Sequence, residues 1–193
     1  MEELKDLITD KRRENIDCRW FVPHQALRDL MTKDLVEKAI RDTNIWHYHV
    51  NDLIRVVLNG AQKTFAILAL IGKPHCILRF VEDDNLQHSH LDYKLPLSLE
   101  KLQRLLPSST AARQFHEKQW EFTAPVFTGS VLPRVLEKEV ILPYVGKSTI
   151  IGRGGFGVAH LVKVEPSHQI FGQGSQQDVR FPFQHPHVQR ANS

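Results

Sequence analysis

Residues 148–164 read Ser148-Thr149-Ile150-Ile151-Gly152-Arg153-Gly154-Gly155-Phe156-Gly157-Val158-Ala159-His160-Leu161-Val162-Lys163-Val164. The seven residues after the last glycine decide the fold. The stretch contains G-x-G-x-x-G, in which residues without side chains let the backbone turn tightly and approach phosphate oxygens closely. In a dinucleotide-binding unit the motif opens a helix, and an acidic residue comes about 20 positions later. Here the glycines run into Val158-Ala159-His160-Leu161-Val162-Lys163-Val164, whose β-branched content reads as a strand. Gly172 stands where the acid belongs, and no Asp or Glu lies between Glu165 and Asp178. The reading is therefore strand, glycine turn, strand: an antiparallel hairpin.

A hairpin of this kind resembles the phosphate-covering flap of eukaryotic protein kinase domains, of Ser/Thr type. The resemblance begins at Leu142-Pro143-Tyr144, runs through the glycines and covers about residues 140–171. The upstream helical region and the approach at residues 139–143 also resemble the N-terminal part of kinase-domain proteins of filamentous fungi. The resemblance implies that Gly152, Gly154 and Gly157, with Gly155, bend over ATP phosphates. It implies that Phe156 is the aromatic tip and that Ile151 lies over the adenine. Ala159 stands where the family usually has valine against the adenine, so that contact is weaker here. ATP is the implied cofactor, weak or vestigial; magnesium belongs to the intact family.

The chain then departs from the family. A kinase holds the α- and β-phosphates with a lysine on its third strand. Lys163 comes too early, on the second strand itself. The third strand should fall near residues 170–174, and no lysine occurs after Lys163. Catalytic-loop H-R-D and metal-binding D-F-G are both absent from the sequence. The expectation is a fragment of a kinase-like protein, truncated after about Phe171, that carries the ATP loop without catalytic activity. No residue is therefore assigned as catalytic.

Working outward, composition changes near residue 130. Before it the glycines are Gly60, Gly72 and Gly129; seven more lie between Gly146 and Gly174. Residues 1–130 should be helical, 131–171 a partial kinase N-lobe and 172–193 a disordered tail. The Gln-, His- and Pro-rich composition from Pro166 onward reads as disordered. Leu4, Leu7 and Ile8 set a first helix over residues 2–15, with Lys11-Arg12-Arg13 on a solvated face. Pro23 suits a helix's first turn. Thr32, Ser98 and either Ser108 or Ser109 read as N-caps, whose hydroxyls accept early backbone N–H groups. The longest helical pattern covers residues 45–71, with Gly60 marking a bend or a close contact. Pro74 starts another helix, with Ile77, Leu78 and Val81 inward. Residues 122–127 look extended.

The chain has 193 residues, 25 Lys plus Arg and 22 Asp plus Glu, for a net charge of +3. Apolar residues make up 41%, enough for a packed core, so collagen-like and wholly disordered classes are excluded. The weak charge gives no case for nucleic acid. The longest apolar run, residues 64–72, is far short of the ~18 a membrane span needs. Cys18 and Cys76 read as free thiols of a reducing, cytoplasmic compartment. The pairs His47/His49, His88/His90 and His185/His187 lack zinc spacing, and Glu82-Asp83-Asp84 reads as a solvated turn.

The expected fold is thus α+β: a mostly helical N-terminal region, a small antiparallel hairpin and a disordered tail. The alternative function is a non-enzymatic helical interaction or regulatory module, with a protein partner docked through the helices and neither nucleic acid nor membrane involved.

Overall fold

The computed structural model describes residues 2–43, 50–83, 90–128, 136–155 and 157–170. Its architecture is α+β, as the sequence predicts. The helices are α1 (Glu2–Lys11), α2 (His24–Leu30), α3 (Lys33–Arg41), α4 (Val50–Gly60), α5 (Gln62–Leu70), α6 (Ile77–Val81), α7 (Leu99–Leu105) and α8 (Ser109–Phe122). Two short strands, β1 (Arg13–Glu14) and β2 (Trp20–Phe21), come after α1. After α8 come β3 (Phe127–Thr128), β4 (Tyr144–Gly154), β5 (Gly157–Val164) and β6 (Gln169–Ile170). The strands form three separate pairs: β1–β2 antiparallel, β4–β5 antiparallel and β3–β6 parallel. The expectations for His47, His49, Asp84, His88, Phe156, His185, His187 and the tail 172–193 fall outside the described residues.

Helix α5 is the centre of the body. Thr64, Phe65, Ala66, Ile67, Leu68 and Ala69 are all buried, so this helix is apolar on every side and is wrapped by its neighbours. Helices α1, α2, α4 and α8 pack against it. Leu4 and Ile8 of α1, Phe80 of α6, Leu102 of α7 and Phe115 of α8 complete the core, with Phe80 stacked on Phe115 at 5.4 Å. Removing one such ring, as in Phe65→Ala, leaves a cavity costing about 3–5 kcal/mol. No described residue beyond Phe122 enters this core.

Three caps sit where the sequence places them. Thr32, Ser98 and Ser108 accept from the N–H groups of Leu35, Lys101 and Ala111. The N-terminus of α5 has no acceptor of its own, because Ala61 precedes it. Asp92 supplies one from across the core: Oδ2 accepts from Lys63 N–H, and Oδ1 from Thr64 N–H and Oγ1, all within 2.9–3.0 Å. Burial pushes the Asp92 carboxyl above its ordinary range, against those hydrogen bonds, and pushes the Lys63 amine down.

Gly60 marks both a bend and a contact. Helices α4 and α5 meet there at 107°. A Cβ on Gly60 would lie 2.7 Å from the backbone N and Cα of His90. No single helix among the described residues is long and apolar enough to cross a membrane.

Four expectations need correction. Helix α1 ends at Lys11 rather than near Asn15, because Arg13–Glu14 leave it to pair with Trp20–Phe21. Arg12 is no solvated helix residue: its guanidinium meets Glu121 at 2.8 Å and lies over the Trp20 ring. Of the stretch read as extended after Trp120, Phe122 closes α8 and only Phe127 begins a strand. The disordered reading from Pro166 onward also starts too early. Residues 166–170 form a turn of 3-10 helix and then β6, and His168 is buried.

Candidate functional site

The glycine-rich stretch folds as the hairpin of β4 and β5. Strand β4 carries Val145, Thr149, Ile150 and Ile151, and β5 carries Val158, Val162 and Val164; such β-branched side chains suit a pleated ribbon. The last pair is Gly154 with Gly157, which leaves a two-residue turn. The pairing slips between Val145 and Thr149 and again between Ile150 and Gly152. Gly146, at the first slip, has φ +78, a conformation that a side chain resists.

Cross-strand partners share a face, and positions two apart along a strand do too. Gly152 pairs with Ala159, and Gly154 with Gly157. These four residues therefore make one continuous face near the tip on which nothing projects beyond a methyl group. Arg153 and Val158 pair on the opposite face.

The chain itself does not require these glycines. A Cβ on Gly154 or Gly155 would meet nothing within 4 Å, and one on Gly152 would meet only the Ala159 methyl, at 4.0 Å. None of the three has the positive φ seen at Gly72 and Gly146. Gly60, Gly72, Gly146 and, in the loop itself, Gly157 with φ +156 each have an internal reason, in packing or in backbone conformation. Gly152, Gly154 and Gly155 have none.

The hairpin projects from the body. From Lys147 to Gly155 every residue of β4 and the turn is exposed. Ile150, Ile151 and Leu161 are 47%, 50% and 42% exposed. No acidic residue lies between Val140 and Val164, whereas Lys147, Arg153 and Lys163 do. These three equal the chain's whole net charge of +3, so its surplus charge resides on this ribbon.

The base of the hairpin is held firmly. Asn15 Nδ2 donates to the Leu142 carbonyl at 3.0 Å, and Ile16 N–H donates to the Tyr144 carbonyl at 2.9 Å. The Arg19 guanidinium donates to the carbonyls of Val140 and Glu139. The loop that does this is shaped by Asn15 Oδ1, which accepts from the N–H groups of both Asp17 and Arg19. A small second core of Phe21, Trp120, Ala124 and Ile141 lies beneath. Tyr144 stacks on Phe127, and burial pushes its hydroxyl up to about 12.

Of the residues singled out in the sequence, Gly152, Gly154, Gly157 and Ala159 come together on one face and Gly155 turns the chain beside them. Ile151 sits in the second slip, half exposed. Phe156 is outside the described residues. Lys163 pairs with Val145 at the base, the far end from the glycines. Of the span where the resemblance puts a third strand, only Ile170 is described, and it pairs with Thr128 of β3.

Sequence reasoning alone does not find Asn15, Arg19 or His168. Asn15 carries a faint local signal, because an Asn-x-Asp sequence favours a side-chain turn. His168 carries none. A shallow groove lined by Lys5, Leu70, Gly72, Gln114 and Lys118 contains no residue of the hairpin. Among the described residues no three His, Cys, Asp or Glu side chains gather as a metal site. Comparison with protein-family models, curated proteins and solved structures finds no match to this chain.

Proposed function

We propose that the β4–β5 hairpin is an ATP-phosphate-covering flap of the protein kinase kind, carried on a helical body and without phosphotransferase activity of its own. One observation carries the reading: Gly152, Gly154, Gly157 and Ala159 form a bare face, and at Gly152 and Gly154 neither the chain's packing nor its backbone demands glycine. On such a face phosphate oxygens reach main-chain N–H groups directly, and the neighbouring positive charge favours the anion. Phosphoryl transfer is not assigned, because it needs the phosphate-holding lysine, the metals and the positioned base together. Lys163 is at the wrong end of the ribbon, and the sequence contains neither H-R-D nor D-F-G. With only one wall, the site binds ATP weakly, near a millimolar dissociation constant or about −4 kcal/mol. The free Cys18 and Cys76 fit a reducing compartment such as the cytoplasm.

A second reading has its own support. The main core is assembled from residues 4–122 alone. A helical body closed in this way suits a non-enzymatic regulatory or interaction module that bears the flap, with a protein partner on the helices.

Calorimetric titration with ATP tests the first reading. Weak saturable binding in the native chain, abolished by Gly154→Val, supports it; equal binding by both proteins overturns it. A radiolabelled ATP transfer assay with a generic protein substrate should show no incorporation above background. Incorporation there contradicts the assignment of no activity.

A further inference from the structure

We propose that His168 is an acid-sensitive latch that fastens residues 165–170, and through them the base of the glycine hairpin, to the helical body. Its ring bridges three distant segments. Nδ1 lies 3.0 Å from the Pro125 carbonyl, and Nε2 accepts from the backbone N–H of His24 at 3.1 Å. The ring edge meets Phe21 at 5.6 Å and 84°. The residue is 2% exposed.

These partners fix the protonation state. Nδ1 faces an acceptor and carries the hydrogen; Nε2 faces a donor and must be bare. A second proton would set N–H against N–H in a buried place. It would also add charge near Lys63 of α5 and His24 of α2. Burial holds His168 below its usual 6.5, ahead of the Pro125 and Val22 carbonyls and the Glu165 carboxylate, which favour the proton. His24, 6.4 Å away between ring centres, is also held down, first by burial and then by Lys63, His168 and Arg28. Lys63 lies beside Asp92, whose oxygens are occupied at the start of α5. Glu165 is engaged by the Ser167 N–H and hydroxyl, with Arg13 at 3.8 Å.

A histidine whose folded value is depressed stabilises the closed segment fully above 6.5. That contribution is lost as pH falls from 6.5 toward the folded value, because the open segment takes the proton first. Opening releases β6 from β3 and frees Glu165, whose N–H donates to the Pro143 carbonyl at the hairpin's base. The latch does not depend on what the glycine face binds.

The test is amide hydrogen exchange on the full chain from pH 7.5 to 5, corrected for intrinsic rates, alongside NMR titration of the His168 ring. Protection of residues 165–170 should fall as pH drops from 6.5 toward the folded value of His168, by at most about tenfold per unit, while α5 stays protected. The ring should be the Nδ1–H tautomer at neutral pH. His24→Gln should keep the transition, and His168→Gln, which retains an acceptor, should flatten it. Protection that does not change with pH overturns the proposal. So does a transition that persists in His168→Gln, one abolished by His24→Gln, or one in which α5 opens at the same pH. If His168→Gln fails to fold, the native titration decides: protection must fall while the ring takes up its proton.

Discussion

The Asn15 side chain donates to the Leu142 carbonyl at 3.0 Å across 127 residues of sequence. Asn15 is 6% exposed and uses its carboxamide in both directions, since Oδ1 also accepts from Asp17 and Arg19. One side chain thereby shapes the loop after α1 and anchors the strand that carries the glycines. It fixes where the flap leaves the body.

Asn15→Ala removes these bonds and strands buried polar groups, at about 2–4 kcal/mol. The damage should be local at first. Exchange protection at the hairpin base, around Tyr144 and Val164, falls before that of α5. Equal loss in both places would show that the loop supports the whole fold rather than the flap.

Gly60→Ala sets two effects against each other. Alanine gains up to about 1 kcal/mol of helix propensity. The new Cβ meets the His90 backbone at 2.7 Å, and backbone cannot swing away. Overpacking of this kind costs about 1–3 kcal/mol, so the variant should melt lower. A variant that melts higher would show that the His90 segment yields easily.

Glu121 holds two cations, Arg12 at 2.8 Å and Lys118 at 2.7 Å, and its side chain is 8% exposed. Glu121→Gln weakens the charged contact to Arg12 and should cost about 1.5–3 kcal/mol in denaturant titration. Replacing the pair together, Arg12→Met with Glu121→Leu, should recover most of that loss. A single variant as stable as the native chain would show that solvent already screens the pair.

The helix caps, the hairpin and the bend at Gly60 are legible in the sequence because each is written within a few residues. Thr32, Ser98 and Ser108 sit three residues before the amide they cap. Val158, Val162 and Val164 mark a strand by themselves. The illegible features depend on partners far along the chain. The reason for Gly60 is the backbone of His90. Arg12 looks solvated in sequence because Glu121, which buries it, lies 109 residues away. Residues 166–170 look disordered because their order comes from Pro125, His24 and Phe127. The glycine face is half legible: the motif names the residues, and the register shows which of them share a side.

Gly152→Val and Gly154→Val separate a glycine kept for the fold from one kept for a ligand. Both positions are open enough for the new side chain, and strand propensity improves by up to about 1 kcal/mol. Neither variant should melt lower than the native chain. A clear loss of stability in both would return these glycines to a purely structural role.

Amide chemical-shift mapping of the full chain against added ATP tests the bare glycine face most directly. The account predicts weak, saturable shifts clustered at Gly152, Gly154, Gly157 and Ala159, absent from α5 and from the groove at Lys5, and lost in Gly154→Val. No shift up to millimolar ATP, or shifts centred anywhere else, would contradict it.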